Sequence, residues 1–475
     1  MSFSKQDVLS QIPSVEILLH EAESEGWTQN VPRRVLVESV RAAVEKARTD
    51  LLASADVDLP TVDVPNNLRR SILADAKRRA ESAGHPYYCK VINATGIILH
   101  TALGRAVLPA VALRQIEAEL NGYSLLQADI ASGQRARRDA KIEQLLQQLT
   151  GAEAATVVNN NAAATSIVLN TVAAGREVIV SRGQLVEIGG SFRLPDVMTA
   201  SGVKLVEVGT TNKTHARDYE KAITPSTAAI LRVHPSNYKI SGFTAETPLG
   251  DLVRIGHAHN LVVIDDLGAG PLLDFSRFGF DREPTLQESV QAGADLITAS
   301  ADKLIGASQG GIILGRADLI GAVRKNPLAR ILRVGKLTLA ALEATLTLFL
   351  DESQALREVP TLRMLCRKSD KIAAQADRIA QAIGQRNAEV AVTVIDGFSQ
   401  MGSGSLPTQN LATRLVAIQS DMVESGELAA RLRRSAPPVF ARVHQGQVLL
   451  DPRTLLDDEE PLLVKAVTEA LRQQA

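Results

Sequence analysis

Three short stretches carry side chains that can do chemistry together. The first is Leu296-Ile-Thr-Ala-Ser-Ala-Asp-Lys303-Leu-Ile-Gly, an apolar run that ends in small residues and is followed at once by Asp302 and Lys303. A lysine just past a buried strand can lie over whatever binds at the sheet edge. Neutral part of the time in a desolvated pocket, it can form a Schiff base with a carbonyl. Taken alone, the stretch reads more simply as a surface lysine opening a loop. The second stretch is Leu261-Val-Val-Ile-Asp265-Asp266-Leu-Gly-Ala-Gly. An apolar strand delivers two carboxylates to its end, and because side chains alternate between faces only one of them can face a ligand. Magnesium binding, or capping of the next helix, would also account for it. The third is Val157-Val-Asn159-Asn160-Asn161-Ala-Ala-Ala, a strand turning into a helix through small and polar residues. Exposed amides at a helix start suit a phosphate. A plain Asn-capped helix explains the stretch equally well.

The three occur in the order phosphate anchor, carboxylate, lysine, with about 37 residues between Asp266 and Lys303. Pyridoxal phosphate (PLP) needs all three: a phosphate site, a carboxylate that keeps the pyridine nitrogen protonated as an electron sink, and a lysine. PLP enzymes of the aspartate-aminotransferase fold use this order. The expectation is therefore a PLP enzyme with its cofactor on Lys303, Asp266 at the ring nitrogen and Asn159, Asn160 and Asn161 at the phosphate. Arginines also gather near small residues, in Leu99-His-Thr-Ala-Leu-Gly-Arg105 and in Asn326-Pro-Leu-Ala-Arg330-Ile-Leu-Arg333-Val-Gly-Lys336. At a spacing of i, i+3, Arg330 and Arg333 would share a helical face. Such a pair can hold a small oxyanion in forked hydrogen bonds, or simply form salt bridges on a solvated helix.

These side chains need a scaffold that brings strand ends together. Between about 90 and 340, short β-branched runs (Ala155-Thr-Val-Val, Glu177-Val-Ile-Val, Lys204-Leu-Val-Glu-Val, Ala228 to Val233, Leu261-Val-Val-Ile, Asp295-Leu-Ile-Thr, Gly311-Ile-Ile-Leu) alternate with helical stretches. That alternation predicts an α/β domain with a mostly parallel sheet, which binds ligands beyond the carboxyl ends of its strands. Residues 1–85 read as a separate helical domain. Apolar spacing marks helices from Pro13 and over Val35 to Leu52, then a loop with Pro60, Pro65, Asn66 and Asn67, then a basic helix from Leu68. Residues 86–340 form the PLP-binding domain. Residues 341–475 form a small α+β domain, opening with a long helix from Leu337 and ending with short strands near Pro438 to Val443 and Gln447-Val-Leu-Leu and a last helix.

Lys plus Arg (52) and Asp plus Glu (53) cancel, so an anionic partner has to be met by a local patch. Cys89 and Cys366 stand far apart, which excludes a disulfide framework and a multi-cysteine metal site and suits a reducing cytosol. The first residues lack a basic n-region and an apolar h-region, and no apolar run is long enough to span a membrane. The expectation is a cytoplasmic protein with no membrane partner and no metal.

Several stretches closely resemble the bacterial selenocysteine synthase family, the L-seryl-tRNA(Sec) selenium transferases. They are Gln11-Ile-Pro-Ser-Val, Val91-Ile-Asn-Ala-Thr-Gly, Leu99-His-Thr…Leu-Gly-Arg105, Leu149-Thr-Gly-Ala-Glu, Val157-Val-Asn-Asn-Asn-Ala-Ala-Ala, Leu185-Val-Glu-Ile-Gly-Gly, Glu207-Val-Gly-Thr-Thr-Asn-Lys-Thr, Ser236-Asn-Tyr…Gly242-Phe-Thr, Asp266-Leu-Gly, Asp302-Lys303-Leu, Leu337-Thr-Leu-Ala-Ala-Leu-Glu-Ala-Thr-Leu and Gly402-Ser-Gly-Ser-Leu-Pro. The resemblance spans nearly the whole chain. It implies that serine esterified to tRNA(Sec) displaces Lys303 from PLP, and that Lys303 removes the Cα proton. Loss of hydroxide from Cβ then leaves a PLP-bound aminoacrylyl-tRNA, to which selenium from selenophosphate adds. By the same resemblance Arg105, Arg330 and Arg333 bind the selenium donor, and Asp302 does acid/base work. The N-terminal domain, with Arg69, Arg70, Lys77, Arg78 and Arg79, recognises the tRNA, and ten chains assemble as a pentamer of dimers.

The chain departs from the family pattern at Ala102 (Asn there), Gln127 and Gln184 (Glu), Ala301 (Gly) and Ala307-Ser308 (Gly-Pro), none of which is a cofactor anchor. The competing readings are a PLP lyase or transferase acting on a free amino acid and a non-catalytic tRNA-binding protein. A cysteine desulfurase would need a cysteine in a mobile Gly/Ser-rich loop, and neither Cys89 nor Cys366 sits in one.

Overall fold

The computed structural model describes residues 5–29, 31–53, 64–84, 86–190, 192–406 and 409–472. The chain divides into two compact units, Met1–Lys90 and Val91–Ala475.

The first unit is helical: α1 (Lys5–Ser10), α2 (Val15–Ser24), α3 (Arg33–Ala53) and α4 (Val64–Gly84). The Ser14 side chain caps α2 by accepting the Ile17 N–H. Apolar residues three and four apart put Leu18, Leu19 and Ala22 of α2 against Leu36, Val40 and Val44 of α3 and Ile72, Leu73 and Ala76 of α4, in one core. Pro65, Asn66 and Asn67, expected in a loop, lie instead in the first turn of α4. Proline is at home there, because the first N–H groups of a helix have no intrahelical partner. Pro60 lies outside the described residues.

The second unit is built on a seven-stranded sheet. Its strands are β1 (Ala154–Val158), β2 (Glu177–Ser181), β3 (Lys204–Val208), β4 (Thr227–Val233), β5 (Val262–Gly268), β6 (Leu296–Ser300) and β7 (Gly311–Gly315). The spatial order is β1-β7-β6-β5-β4-β2-β3. Only β7 runs against its neighbours. Six strands therefore end on one edge, and β7 begins there. Helices cover both faces, as the valine- and isoleucine-rich strands require. On one face Val157, Ile297, Ala299 and Ile312 pack with Leu339, Leu342 and Leu346. On the other, Val178, Val180, Leu231 and Ile264 pack with Ile167, Val168 and Leu169 of α5 (Asn161–Ala173).

Beyond the sheet come α6 (Leu328–Ile331) and α7 (Lys336–Leu348), later a long helix α8 (Ser369–Arg386), and a terminal helix α9 (Glu459–Arg472). Between α8 and α9 an antiparallel sheet of β8 (Ala391–Gln400), β9 (Asn410–Gln419), β10 (Arg442–His444) and β11 (Gln447–Leu450) runs in the order β8-β9-β11-β10. The two long strands β8 and β9 were not expected from the sequence. Asp451, wholly buried, accepts hydrogen bonds from the Ser399 and Thr413 hydroxyls at 2.7 and 2.9 Å. Its carboxylate lies where a Cβ on Gly96 would stand, at 2.0 Å, so the 91–100 segment docks against this sheet only through a glycine.

A second close approach fixes the edge that matters. A Cβ on Gly311 would lie 2.1 Å from the Asn160 carbonyl oxygen, backbone that cannot swing aside. Gly311→Ala is expected to destabilise the fold by about 1–3 kcal/mol through overpacking, read as a lowered thermal unfolding midpoint.

Candidate active site

Lys303 sits three residues past β6 in a loop that closes on itself. The Ala301 N–H donates to the Gly310 carbonyl (2.8 Å), the Ala307 N–H to the Ala301 carbonyl (2.9 Å) and the Gly306 N–H to the Lys303 carbonyl (3.0 Å). The side chain is almost fully buried, with Lys303 5% exposed. Burial, and then the nearby Arg105 guanidinium, lower its pKa, while Asp266 and Asp302 oppose the shift. This is the direction that makes an amine a nucleophile or a base.

Asp265 and Asp266 take opposite faces of β5. Asp265 is claimed by Arg232 (2.8 Å) and the Ser289 hydroxyl (2.6 Å). Asp266 faces α5, accepting from the Asn161 amide (2.9 Å), the Thr165 hydroxyl (3.0 Å) and the Gly268 N–H (3.1 Å). Burial pushes the Asp266 carboxyl up, against those hydrogen bonds. Among the described residues every hydrogen-bond partner of Asp266 is neutral, so the buried carboxylate retains acceptor capacity for a cationic group. Thr165, one turn after Asn161, is a partner that the sequence reading missed; the i, i+4 spacing was its only signal.

The three asparagines have separate jobs. Asn160 caps α5 by accepting the Ala163 N–H at 2.9 Å. Asn161 holds Asp266, and its own Oδ1 is buried without a partner among the described residues. Asn159 is exposed, and its N–H donates to the Leu332 carbonyl. The residues suit PLP: a buried lysine of lowered pKa, a carboxylate free to meet a protonated ring nitrogen, and the start of a 13-residue helix ahead of both in the chain.

Arg105 donates to Asp302 at 2.8 Å, the residue before the lysine. Its backbone is left-handed, with φ 61, directly after Gly104 at φ 91. A non-glycine residue held there carries strain that the surrounding turn must impose, and such strain gathers at functional sites. The turn is set by the Arg105 N–H donating to the His100 carbonyl (3.0 Å).

Arg330 and Arg333 do not share a helical face, contrary to expectation. α6 is a single turn that ends before Leu332, whose carbonyl is taken by Asn159. Arg333 then forms an antiparallel bridge with Val158. Both arginines are exposed and close enough to Arg138 to depress its pKa, after burial itself. Arg105 beside Lys303 and the Arg330–Arg333 pair beside β1 thus occupy two places on one edge.

The Lys303 shift has a measurable sign. In the unfolded chain a lysine titrates near its ordinary value of about 10.4. Between the lowered folded pKa and that value the unfolded chain binds more protons, so stability rises with pH. In cofactor-free protein, Lys303→Met is expected to raise unfolding stability most at neutral pH, with the advantage shrinking as pH climbs toward 10 or so. Urea unfolding at a series of pH values checks this; a gain independent of pH would contradict it.

Comparison with known proteins places the chain in a family. Residues 91–456 match the family described as L-seryl-tRNA selenium transferase, and residues 9–48 the family described as selenocysteine synthase N terminal. The L-seryl-tRNA(Sec) selenium transferase of Alkaliphilus metalliredigens is 43% identical over 464 residues, covering 98% of this chain and 99% of its own length. That of Geobacter sulfurreducens is 44% identical over 469 residues, covering 97% and 99%. Among solved structures, D-glucosaminate-6-phosphate ammonia-lyase shares the fold, with a TM-score of 0.55 at 22% identity over 82% of this chain and 97% of that one. The expected α/β fold with a mostly parallel sheet is the fold found. By the match over residues 91–456 and by its similarity to these relatives, the chain belongs to the L-seryl-tRNA(Sec) selenium transferase family.

Proposed function

We propose that the protein converts L-seryl-tRNA(Sec) into L-selenocysteinyl-tRNA(Sec), with PLP as its cofactor and selenophosphate as the selenium donor. The observation that carries this is the buried Lys303 beside the Arg105–Asp302 contact and Asp266, in a chain that follows the family along its length. Lys303 would bind PLP, Asp266 would meet its ring nitrogen, and Asn159, Asn160 and Asn161 would lie at its phosphate. Bound there, PLP supplies an electron sink for the α-carbon of the seryl group.

The chain's own residues do the rest. Lys303, kept from full protonation, takes the proton from Cα. Arg105 holds the Asp302 carboxylate in place, and Asp302 handles protons where the β-oxygen departs. Arg330 and Arg333, which make no side-chain ion pair among the described residues, hold the donor anion together with Arg105.

The helical unit binds the tRNA. Of its five basic candidates, Arg69 is engaged with Glu21, and Arg78 and Arg79 with Asp75. Arg70 and Lys77 have no such partner among the described residues, which favours them for phosphate contact. In this reading the enzyme is cytoplasmic, and no helix among the described residues is long and apolar enough to cross a membrane. It works as a homo-oligomer, the decamer that the resemblance implies. Exposed Tyr123, Leu125, Ile130, Ile331 and Leu337 support association with further copies.

The test is a transfer assay with PLP-loaded protein. Seryl-tRNA(Sec) and selenophosphate are expected to yield selenocysteinyl-tRNA, while free serine and cysteine are not turned over; the reverse pattern would overturn the reading in favour of a free-amino-acid enzyme. Arg330→Ala and Arg333→Ala are expected to keep the visible absorption of bound cofactor and to slow selenium transfer by about tenfold or more. Loss of cofactor in either variant would move that arginine to the cofactor site.

A further inference from the structure

Two stretches that carry the family resemblance, Glu207-Val-Gly-Thr-Thr-Asn-Lys-Thr and Ser236-Asn-Tyr…Gly242-Phe-Thr, have no part in the site described above. The fold zips them together. The Asn212 side-chain amide donates to the Phe243 carbonyl (2.6 Å), the Ala245 N–H to the Asn212 carbonyl (2.9 Å) and the Thr214 N–H to the Ala245 carbonyl (2.9 Å). Phe243 is nevertheless 88% exposed, with Lys213 Nζ 5.9 Å from the centre of its ring. An aromatic ring left in water on backbone tied at several points is a ready stacking surface, because little ordering remains to be done when a base arrives.

The same two loops help to wall a cavity of about 280 Å³, together with Gln184, His234, Tyr238 and Glu246. It opens at the ends of β2 and β4. The His234 N–H donates to the Asp266 carbonyl at 2.8 Å, so the cavity lies one strand from the carboxylate assigned to the ring nitrogen. Its size is close to that of the smallest small-ligand sites, about 300 Å³. Most of its charges are engaged with one another. Lys239 pairs with Asp281 (2.9 Å), Arg282 with Glu288, and His234 is hydrogen-bonded to Glu283 (2.7 Å). Of the basic side chains on the wall, Lys213 alone has no carboxylate partner among the described residues. Glu246 accepts from Gln184 (2.8 Å) and lies 3.5 Å from Arg232, yet half of its side chain is exposed. A single unpaired cation beside an exposed ring does not suit a multivalent anion. It suits a base with one phosphate, and the carboxylate can accept from a nucleoside's donors.

We propose that this cavity is the subsite for the 3′-terminal adenosine that carries the serine, with the base stacked on Phe243 and its phosphate met by Lys213. The inference rests on the seryl-tRNA reading given above. The reach agrees with it. Val233 of β4 and Thr298 of β6 are both register partners of Asp266, so β4 and β6 stand two inter-strand steps apart, roughly 10 Å. About seven covalent bonds separate the serine nitrogen from the adenine ring, a reach of about 8 Å at the advance per bond of an extended chain. Serine at Lys303 and adenine beyond β4 are therefore compatible within one substrate.

Titration calorimetry of the PLP-loaded protein with adenosine 5′-monophosphate tests the subsite. This nucleotide is expected to bind about tenfold or more tighter than ribose 5-phosphate, which lacks the base. Phe243→Leu is expected to remove that difference and Phe243→Tyr to keep it. Lys213→Gln is expected to weaken both ligands, with the cofactor's visible absorption and the thermal midpoint unchanged in all three variants. In the transfer assay Phe243→Leu is expected to lower kcat/KM for seryl-tRNA(Sec) by about tenfold. Equal binding of the two ligands by the unaltered protein would overturn the proposal, as would full nucleotide affinity in Phe243→Leu. A changed assembly size of Phe243→Leu in sedimentation, with nucleotide affinity unaltered, would overturn it in favour of a second copy of the chain covering the ring. In each of these cases transfer by the unaltered protein would leave the seryl-tRNA reading standing. Absence of transfer would remove that reading and this inference with it.

Discussion

An amine and a carboxylate, both nearly out of water, stand at the edge of one sheet without hydrogen bonding to each other. The rest of the second unit is arranged around that constraint. Asp266 is kept by three neutral donors rather than by a cation. Lys303 is kept by a loop tied to itself at three points. A direct ion pair would have been the simpler way to bury both groups, and it would have closed the site. Keeping them apart requires rigid backbone on either side, which the antiparallel strand β7 and its close contact with Asn160 provide. Arg105, held by Asp302, brings a positive charge beside the lysine that adds to burial in lowering its pKa, while Asp302 itself opposes the shift.

Much of this was legible in the chain because strand ends are a one-dimensional signal. Apolar runs closed by Asn159–Asn161, by Asp266 and by Lys303 locate three points on one edge as soon as the strands are parallel. What lay hidden depends on contacts between segments. The shape of the Arg330–Arg333 stretch is decided by Asn159 bonding to the Leu332 carbonyl, which stops a helix that local spacing would have continued. Lys213 and Phe243 belong to irregular stretches with no periodicity to read. β8 escaped notice because most of its residues are exposed or half-buried and the adjacent Val394 and Ile395 break its alternation. The three asparagines were found together, yet only the fold distinguishes the cap, the Asp266 partner and the exposed residue.

The positions that depart from the family pattern are absorbed without disturbing the anchors. Ala301 is fully buried, and its N–H donates to the Gly310 carbonyl at 2.8 Å. The Ser308 hydroxyl donates to the Thr338 carbonyl at 3.0 Å and so ties the lysine loop to α7. Gln184 donates to Glu246 (2.8 Å) and accepts the Val233 N–H (3.1 Å). Only an amide can do both, because a carboxylate there would face Glu246 charge to charge. Ala102 lies exposed on the turn that precedes Arg105. None of these side chains hydrogen-bonds to Asp266, Asn161 or Thr165.

The register of the sheet has a metric consequence. Val158, Gly311 and Ser300 lie in one row across β1, β7 and β6, with Arg333 bridged to the first and Lys303 three residues past the last. The backbone span from Val158 to Ser300 is two inter-strand steps, roughly 10 Å. Hydrogen-bond lengths set that span, so the row works as a ruler that loop movement cannot stretch. Exchanges of side chains along it change what is gripped at either end, while the reach between the two ends stays constant.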